Sequence, residues 1–204
     1  EACLQAGRWA LHHGLLPQFY EAASAAWKLD PNHPTVRRLA AMKRRMDAPL
    51  PASAEREQEI RKVVTAGRPM SFFRSKHFVL MHDTPLGTGG KTKKGRASKR
   101  LELLETVYES FLLKFCLEGY ELEVPRERLK VVLFGEKQDF LNCSEEARPI
   151  LSKVDGFYNK RDNLAVFYDK GTDEGYLALE RASRELQTMR DAAIRKRSPG
   201  VAEL

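Results

Sequence analysis

The histidines are the residues with which this chain could bind zinc, and their spacing does not form a complete site. A zinc hydrolase needs two histidines one helical turn apart, as in the motif HExxH, with a third ligand and a general base. The chain has no HExxH, and its five histidines are His12, His13, His33, His77 and His82. We therefore predict no catalytic residue, no cofactor site and no metal site within these residues.

Four carboxylates surround a short helix predicted at 136–142, and paired carboxylates can transfer protons. Acidic residues at the beginning of a helix are also stabilised by its dipole, and we favour that interpretation here. The four residues are Glu136, Asp139, Glu145 and Glu146. The serines form no GxSxG elbow, so the sequence gives no support for a serine hydrolase.

A glycine- and lysine-rich segment at 84–96 could bind an anionic partner. Residues 86–92 follow a predicted strand, as phosphate-binding loops do, but Pro85 stands where that motif requires its first glycine. Most runs of like charge only solvate a surface, so we interpret the segment as a surface loop. Nucleotide binding and nucleic-acid binding remain as alternatives. The basic cluster consists of Lys91, Lys93, Lys94, Arg96, Lys99 and Arg100.

The composition predicts a folded chain with a basic surface. Of its 204 residues 42% are hydrophobic, enough for a core, and a net charge of +7 permits acidic partners without demonstrating them. No stretch approaches the roughly 18 apolar residues of a membrane-spanning helix, so we predict no membrane partner. The unpaired spacing of Cys3, Cys116 and Cys143 predicts no disulfide framework and slightly favours the cytoplasm.

The first 50 residues are predicted to form a helical arm, with helices at 1–13, 17–29 and 35–46. Its small residues and closing Asp-Pro resemble a tetratricopeptide repeat at Gly7, Gly14, Ala26, Asp30 and Pro31. Cys3 and Ala23 depart from that pattern, which has large aromatic residues there. One repeat cannot bury its own apolar face, so we expect further repeats upstream or packing on the following domain. The resemblance implies a protein partner.

From residue 70 onward, strands alternate with helices, which predicts an α+β fold. The predicted strands are at 76–83, 129–134, 154–158 and 164–168, and the last two form a hairpin. A long helix is predicted at 98–118 and a polar helix at 173–197. We divide the chain into the helical arm 1–50, a linker with a short helix at 51–69, an α/β unit at 70–172 and a C-terminal helix at 173–204.

Three segments of the α/β unit, at 76–84, 131–140 and 154–169, carry a second resemblance. They resemble a family of uncharacterised bacterial proteins, common in planctomycetes, whose domain looks like the front of a gluzincin zinc peptidase. The resemblance implies a small mixed sheet flanked by helices. In that family an HExxH helix follows the hairpin and a helical insert, so we expect the zinc ligands beyond Leu204. This chain would then be the non-catalytic N-terminal part of a zinc-metallopeptidase-like protein.

The same resemblance implies a peptide groove. In gluzincins the edge strand over the cleft holds an extended substrate by backbone pairing. By resemblance that strand consists of Leu164, Ala165, Val166, Phe167 and Tyr168. Aromatic residues on strands usually pack across the sheet, so for Tyr158, Phe167 and Tyr168 we favour core packing over a groove.

Overall fold

The computed structural model describes residues 1–64, 69–85, 95–143, 148–172 and 174–197. In these ranges the chain combines helices with one mixed sheet, so the predicted α+β class is confirmed. None of the described helices is long and apolar enough to cross a membrane.

The helical arm contains three helices close to their predicted bounds, α1 (Ala2–His12), α2 (Leu16–Leu29) and α3 (Pro34–Asp47). After α1, Gly14 has a φ of 70°, which glycine adopts without strain. Both α2 and α3 have proline in the first turn, where a missing N–H costs nothing. The His33 side chain caps α3 by accepting a hydrogen bond from the Thr35 N–H at 3.2 Å.

The apolar face of the arm packs against α5 (Arg96–Leu117), the long helix of the α/β unit. Buried side chains of the arm, such as Phe19 and Met42, form one hydrophobic cluster with the C-terminal half of α5. The α5 members of that cluster are Leu112, Leu113, Cys116 and Leu117. The arm therefore packs on the following unit, the second of the two arrangements expected for a single repeat.

Within the described residues the sheet has five strands in the order β1-β2-β3-β5-β4. The strands are β1 (Ser71–Arg74), β2 (Phe78–His82), β3 (Leu129–Phe134), β4 (Gly156–Asn159) and β5 (Leu164–Tyr168). The three central strands β2, β3 and β5 are parallel, and the outer strands β1 and β4 are antiparallel to their neighbours. The bounds of β3 and β5 are as predicted and the hairpin is confirmed, whereas β1 has no counterpart among the predicted strands.

Each face of the sheet has its own hydrophobic cluster. On one face the N-terminal half of α5 packs against residues such as Leu80 and Val131. On the other face the cluster includes Ile60, Phe140 and Leu151, which belong to α4 (Ala54–Val63), α6 (Lys137–Asn142) and α7 (Arg148–Leu151). Strands buried on both faces explain the nearly continuous apolar runs of β2 and β3.

The prediction that β5 is an edge strand is wrong. β5 pairs with β3 on one side and with β4 on the other, so β4 is the outermost of the described strands on this side of the sheet. The physical reason is the burial of Leu164, Val166 and Tyr168, which pack beside β3 in the core cluster. A peptide that extends this side of the sheet would therefore pair with β4.

The last described element is α8 (Glu174–Arg197), which follows a short 3₁₀ turn at Lys170–Thr172. Its position confirms the helix predicted at 173–197. Large apolar side chains of α8, including Leu179, Leu186 and Met189, are exposed. The helix therefore projects from the sheet with much of its surface uncovered.

Candidate functional site

The carboxyl ends of the three parallel strands meet at one edge of the sheet. β2 ends at His82, β3 at Phe134 and β5 at Tyr168, and the register places these ends side by side. Open sheets with parallel strands bind ligands most often at this edge, because the loops that follow the strands converge there. A candidate site is therefore expected at this edge and on the adjoining face.

Two short hydrogen bonds connect the loops that follow the parallel strands. The Asp83 carboxylate accepts a hydrogen bond from the Gly135 N–H at 2.5 Å. The Asp169 N–H donates to the Phe134 carbonyl oxygen at 2.7 Å. Together these bonds connect the loop after β2 to the loop after β3, and β3 to the residue after β5. They position the loops at the carboxyl edge relative to one another.

Asp169 follows β5 at this edge, and its buried carboxylate forms ion pairs. Its side chain is 3% exposed and accepts hydrogen bonds from Arg96 at 3.1 Å and Arg100 at 3.3 Å. The Gly171 N–H donates to the same carboxylate at 3.1 Å. Because two guanidinium groups of α5 share this carboxylate, Asp169 holds the beginning of α5 against the end of β5.

The predicted basic cluster is only partly described. Lys91, Lys93, Lys94 and the glycine-rich residues 86–92 lie outside the described residues. Of the remaining three, Arg96 and Arg100 are the partners of Asp169, and Lys99 is exposed. The structure thus assigns a structural ion pair to two residues of the predicted anion-binding loop.

An apolar groove of about 320 Å³ adjoins this edge on the α5 face of the sheet. Its floor contains Leu80, Val131 and Leu133, and one wall is formed by Leu103 and Leu104 of α5. Phe167 of β5 and Tyr176 at the beginning of α8 also line the groove, and the polar or charged members of the lining are Arg100, Asp155, Tyr168 and Lys170. Such a concave and mostly apolar surface is the usual form of a ligand or peptide site.

The aromatic residues of the hairpin divide between the two faces. Tyr168 is buried in the core as predicted, but Phe167 is 37% exposed and Tyr158 is 60% exposed. Core packing is therefore the wrong interpretation for Tyr158 and Phe167. The reason is the period of two along a strand: their register partners, Ala165 and Gly156, place both side chains on the α5 face.

Gly156 allows the Phe167 ring to lie flat across the hairpin. A Cβ built on Gly156 would overlap Phe167 Cδ1 and would lie 2.8 Å from the Val166 carbonyl oxygen. No side chain fits that space, so the ring occupies the position that a residue 156 side chain would take. The groove therefore requires glycine at this position. The strand propensities of the residues do not predict this requirement.

An ion pair lies at the rim of the groove. Lys170 Nζ lies 2.5 Å from Asp155 Oδ2, and the Tyr168 hydroxyl donates to Asp155 Oδ1 at 3.2 Å. The hydrogen bond from Lys170 is the main reason that the pKa of Asp155 lies below its ordinary value. The pair leaves this part of the rim without net charge, which suits an uncharged ligand.

His82, which ends β2, is buried and positioned by its neighbours. Its Nδ1 lies 3.0 Å from the Thr84 hydroxyl and its ring contacts Phe73 edge to face. Burial lowers the pKa of His82 and therefore favours the neutral ring. Within the described residues, no group of three or more His, Cys, Asp or Glu side chains could hold a metal ion. The predicted absence of a metal site stays a prediction.

The remaining candidate residues serve the fold. Burial raises the pKa of the Cys116 and Cys143 thiols, which disfavours the nucleophilic thiolate. Glu136 precedes α6 and Asp139 lies in its first turn, as the helix-stabilising interpretation predicts. Glu145 and Glu146 lie outside the described residues.

Comparison with known proteins adds no family assignment. No family model, no curated protein and no solved structure matches this chain. The resemblances to tetratricopeptide repeats and to gluzincins therefore stay predictions, and a function has to be inferred from the geometry of the groove.

Proposed function

We propose that this chain is the non-catalytic, sheet-bearing part of a zinc-metallopeptidase-like protein and that its groove binds an extended peptide. The observation that carries the proposal concerns β4, the outermost strand of the described sheet, which pairs antiparallel with β5, whose Phe167 lines the apolar groove. The order of strand, long helix, strand, short helix and hairpin supports the peptidase-like half of the proposal.

Backbone pairing would supply the first part of the peptide's binding energy. In the described part of the chain, β4 pairs with β5 on one side and its other side has no strand partner. A peptide strand could lie about 4.8 Å away and exchange hydrogen bonds with β4. Because β4 has only four residues, the paired segment of the peptide would be correspondingly short.

Burial of the peptide's side chains would supply the second part of its binding energy and the sequence specificity. Tyr158 and Phe167 lie on the α5 face, the face that the groove occupies. Alternate residues of a paired peptide point to this face, so we expect a preference for apolar side chains at every second position. The ion pair of Asp155 with Lys170 gives no reason to expect a requirement for a charged residue.

Fluorescence anisotropy with labelled peptides tests this function. We expect a pentapeptide with alternating leucines to bind, and Phe167→Ala to weaken its binding about tenfold through loss of apolar contact. Tyr120→Ala is the control, since Tyr120 is an exposed aromatic residue, at 62% against 37% for Phe167, and does not line the groove. A peptide with N-methylated backbone amides that binds as tightly as the unmodified peptide would contradict pairing with β4.

The non-catalytic half of the proposal has its own test. We expect the purified chain to contain no stoichiometric zinc and to cleave no peptide, because HExxH is missing from the sequence. Elemental analysis and a fluorogenic peptide assay measure these two properties. One zinc per chain, or hydrolysis that a chelator abolishes, would contradict this half and leave peptide binding to be judged separately.

The helical arm supplies a second surface for protein contacts. Between α2 and α3 lies an apolar depression of about 200 Å³ whose lining includes Tyr20, Trp27 and Lys43. Deleting the arm would expose the buried residues of α5, so a point variant is the better test. We expect Trp27→Ala to reduce partner capture in a pull-down, and equal capture by both chains would argue against this surface.

A further inference from the structure

The α8 helix carries a regular apolar stripe on its exposed surface. Leu179, Ala182, Leu186 and Met189 follow one another at spacings of three, four and three residues. The side chains of Leu179, Leu186 and Met189 are 72%, 68% and 67% exposed. Such spacing places all four side chains on one face of a helix, as in the a and d positions of a coiled coil.

The rest of the described chain leaves this stripe uncovered. The first turns of α8 follow the 3₁₀ turn and reach the groove through Tyr176. The stripe begins beyond that contact and continues toward the end of the helix. Three large apolar side chains on one exposed helix face cost free energy in water, and a facing helix with the same pattern would bury them.

The charges beside the stripe specify what the facing helix is. With Leu179 and Leu186 at a positions, Glu185 occupies a g position and Arg190 the following e position. In a parallel pair of identical helices, each g residue faces the e residue five positions further along the partner. The dimer would therefore contain two pairs of Glu185 with Arg190, one on each side of the seam. In the isolated chain Arg190 contacts only its neighbour Asp191 among the described ion pairs, at 3.3 Å.

We infer that α8 pairs in parallel with α8 of a second copy of this chain. An antiparallel pair would bring like-charged g positions together and lose the attraction between Glu185 and Arg190. Because the stripe from Leu179 to Met189 covers fewer than two heptads, the seam buries few side chains and the dimer is weak. The inference is independent of the peptide groove, and failure of one does not affect the other.

Sedimentation equilibrium of the whole chain, from about 10 µM to about 1 mM, tests the dimer. We expect mass to rise with concentration, and Leu186→Glu to weaken association at least about a hundredfold by placing two carboxylates in the seam. Leu29→Glu is the matched control, since Leu29 is 79% exposed and lies at the end of α2. A monomer throughout, or a dimer that Leu186→Glu leaves intact, would overturn the inference.

Charge reversal tests the parallel arrangement. Glu185→Arg and Arg190→Glu each convert two attractions into repulsions, so each variant alone should associate about tenfold more weakly. In an equal mixture of the two variants, each g position of one chain again faces an e position of opposite charge on the other, so wild-type association should return. Effects within one helix are unchanged by mixing, so a mixture that associates no better than either variant would overturn parallel pairing.

Discussion

Among single residues, Gly156 shows how one missing side chain shapes the candidate site. The Phe167 ring lies so close to Gly156 that a Cβ there would overlap the ring atom Cδ1. The ring therefore lies across the backbone of β4 and forms one side of the groove. Gly7 of the arm is a useful contrast, because a Cβ there would lie 3.5 Å from the Phe19 ring, an ordinary contact distance.

We expect Gly156→Ala to lower the free energy of unfolding by about 1–3 kcal/mol, because the Phe167 ring and the strand backbone must both move. Urea unfolding followed by circular dichroism measures this change. Gly7→Ala should instead raise stability by roughly 0.5–1 kcal/mol, since alanine favours a helix interior. If both variants changed stability in the same direction and by the same amount, the close contact at Gly156 would not be the cause.

Asp169 is the second residue whose environment makes a sharp prediction. Asp169→Asn keeps the side chain's size but removes the charge that binds Arg96 and Arg100. Both arginines are partly exposed, so we expect a loss of about 1–3 kcal/mol rather than the cost of a fully buried pair. In a chain that already carries Arg96→Gln and Arg100→Gln, the same change should cost less. If Asp169→Asn lowered stability equally in both chains, its ion pairs with the two arginines would not be the cause.

Among the elements, the hairpin of β4 and β5 has two faces with different expected roles, one in stability and the other in peptide binding. Neighbouring residues of β4 point to opposite faces: Phe157 packs with Phe140 in the core cluster, and Tyr158 is on the groove face. The sequence contains this alternation, but the order of the strands decides which side of the hairpin is covered. β5 lies inside the sheet, and β4 has the outer position.

We expect Phe157→Ala to destabilise the chain by about 2–4 kcal/mol through loss of core packing. Tyr158→Ala should change stability by no more than about 0.5 kcal/mol while weakening peptide binding. Thermal or urea unfolding of both variants, beside the anisotropy assay, measures the separation. A large loss of stability in Tyr158→Ala would place that side chain in the core and argue against the groove.

At the scale of the whole molecule, α5 joins the arm to the sheet, and His77 reinforces that connection. His77 Nδ1 lies 2.6 Å from Glu105 Oε2, and His77 Nε2 lies 2.8 Å from the Met46 carbonyl oxygen at the end of α3. Through its two ring nitrogens His77 therefore connects α5 to the end of α3. From the arm, the Tyr20 hydroxyl also donates to Glu109 of α5 at 2.7 Å.

This connection predicts a pH dependence. Burial alone raises the pKa of Glu105, but the interactions that favour its charged form, the hydrogen bond with the His77 side chain first among them, outweigh burial and hold the pKa below the ordinary value of 4.5. Because the folded-state pKa is the lower one, the stabilisation is fully present above about pH 4.5 and is lost as the pH falls through the folded-state pKa. We expect Glu105→Gln to cost about 1–3 kcal/mol at pH 7 and progressively less below pH 4.5.

Urea unfolding of both chains at several pH values between about 3.5 and 7 measures this difference. Other described carboxylates have lowered pKa values, but they titrate equally in the two chains and cancel in the comparison. These carboxylates are Asp47, Glu59 and Asp155. Glu118→Gln, an exposed change on the same stretch of chain, is the control. A cost of Glu105→Gln that stays constant with pH would contradict the stabilisation of the Glu105 carboxylate by its hydrogen bonds.

The sequence by itself determined the local elements. Apolar periodicity, Gly14 and the prolines placed the helices of the arm, and the bounds of β3 and β5 follow from their apolar runs. The apolar residues of α8 at spacings of three and four were also present in the sequence, although we predicted a polar helix there. These features depend on neighbours within a few residues, and short-range patterns are sufficient to predict them.

Only the tertiary structure decided how these elements are arranged. Strand order placed β4 rather than β5 at the edge, and packing on both halves of α5 joined the arm to the sheet. The pairing of Asp169 with Arg96, and of His77 with Glu105, connects residues that are 73 and 28 positions apart. Such contacts depend on which surfaces meet when the whole core is buried, and the chain's local pattern does not contain that information.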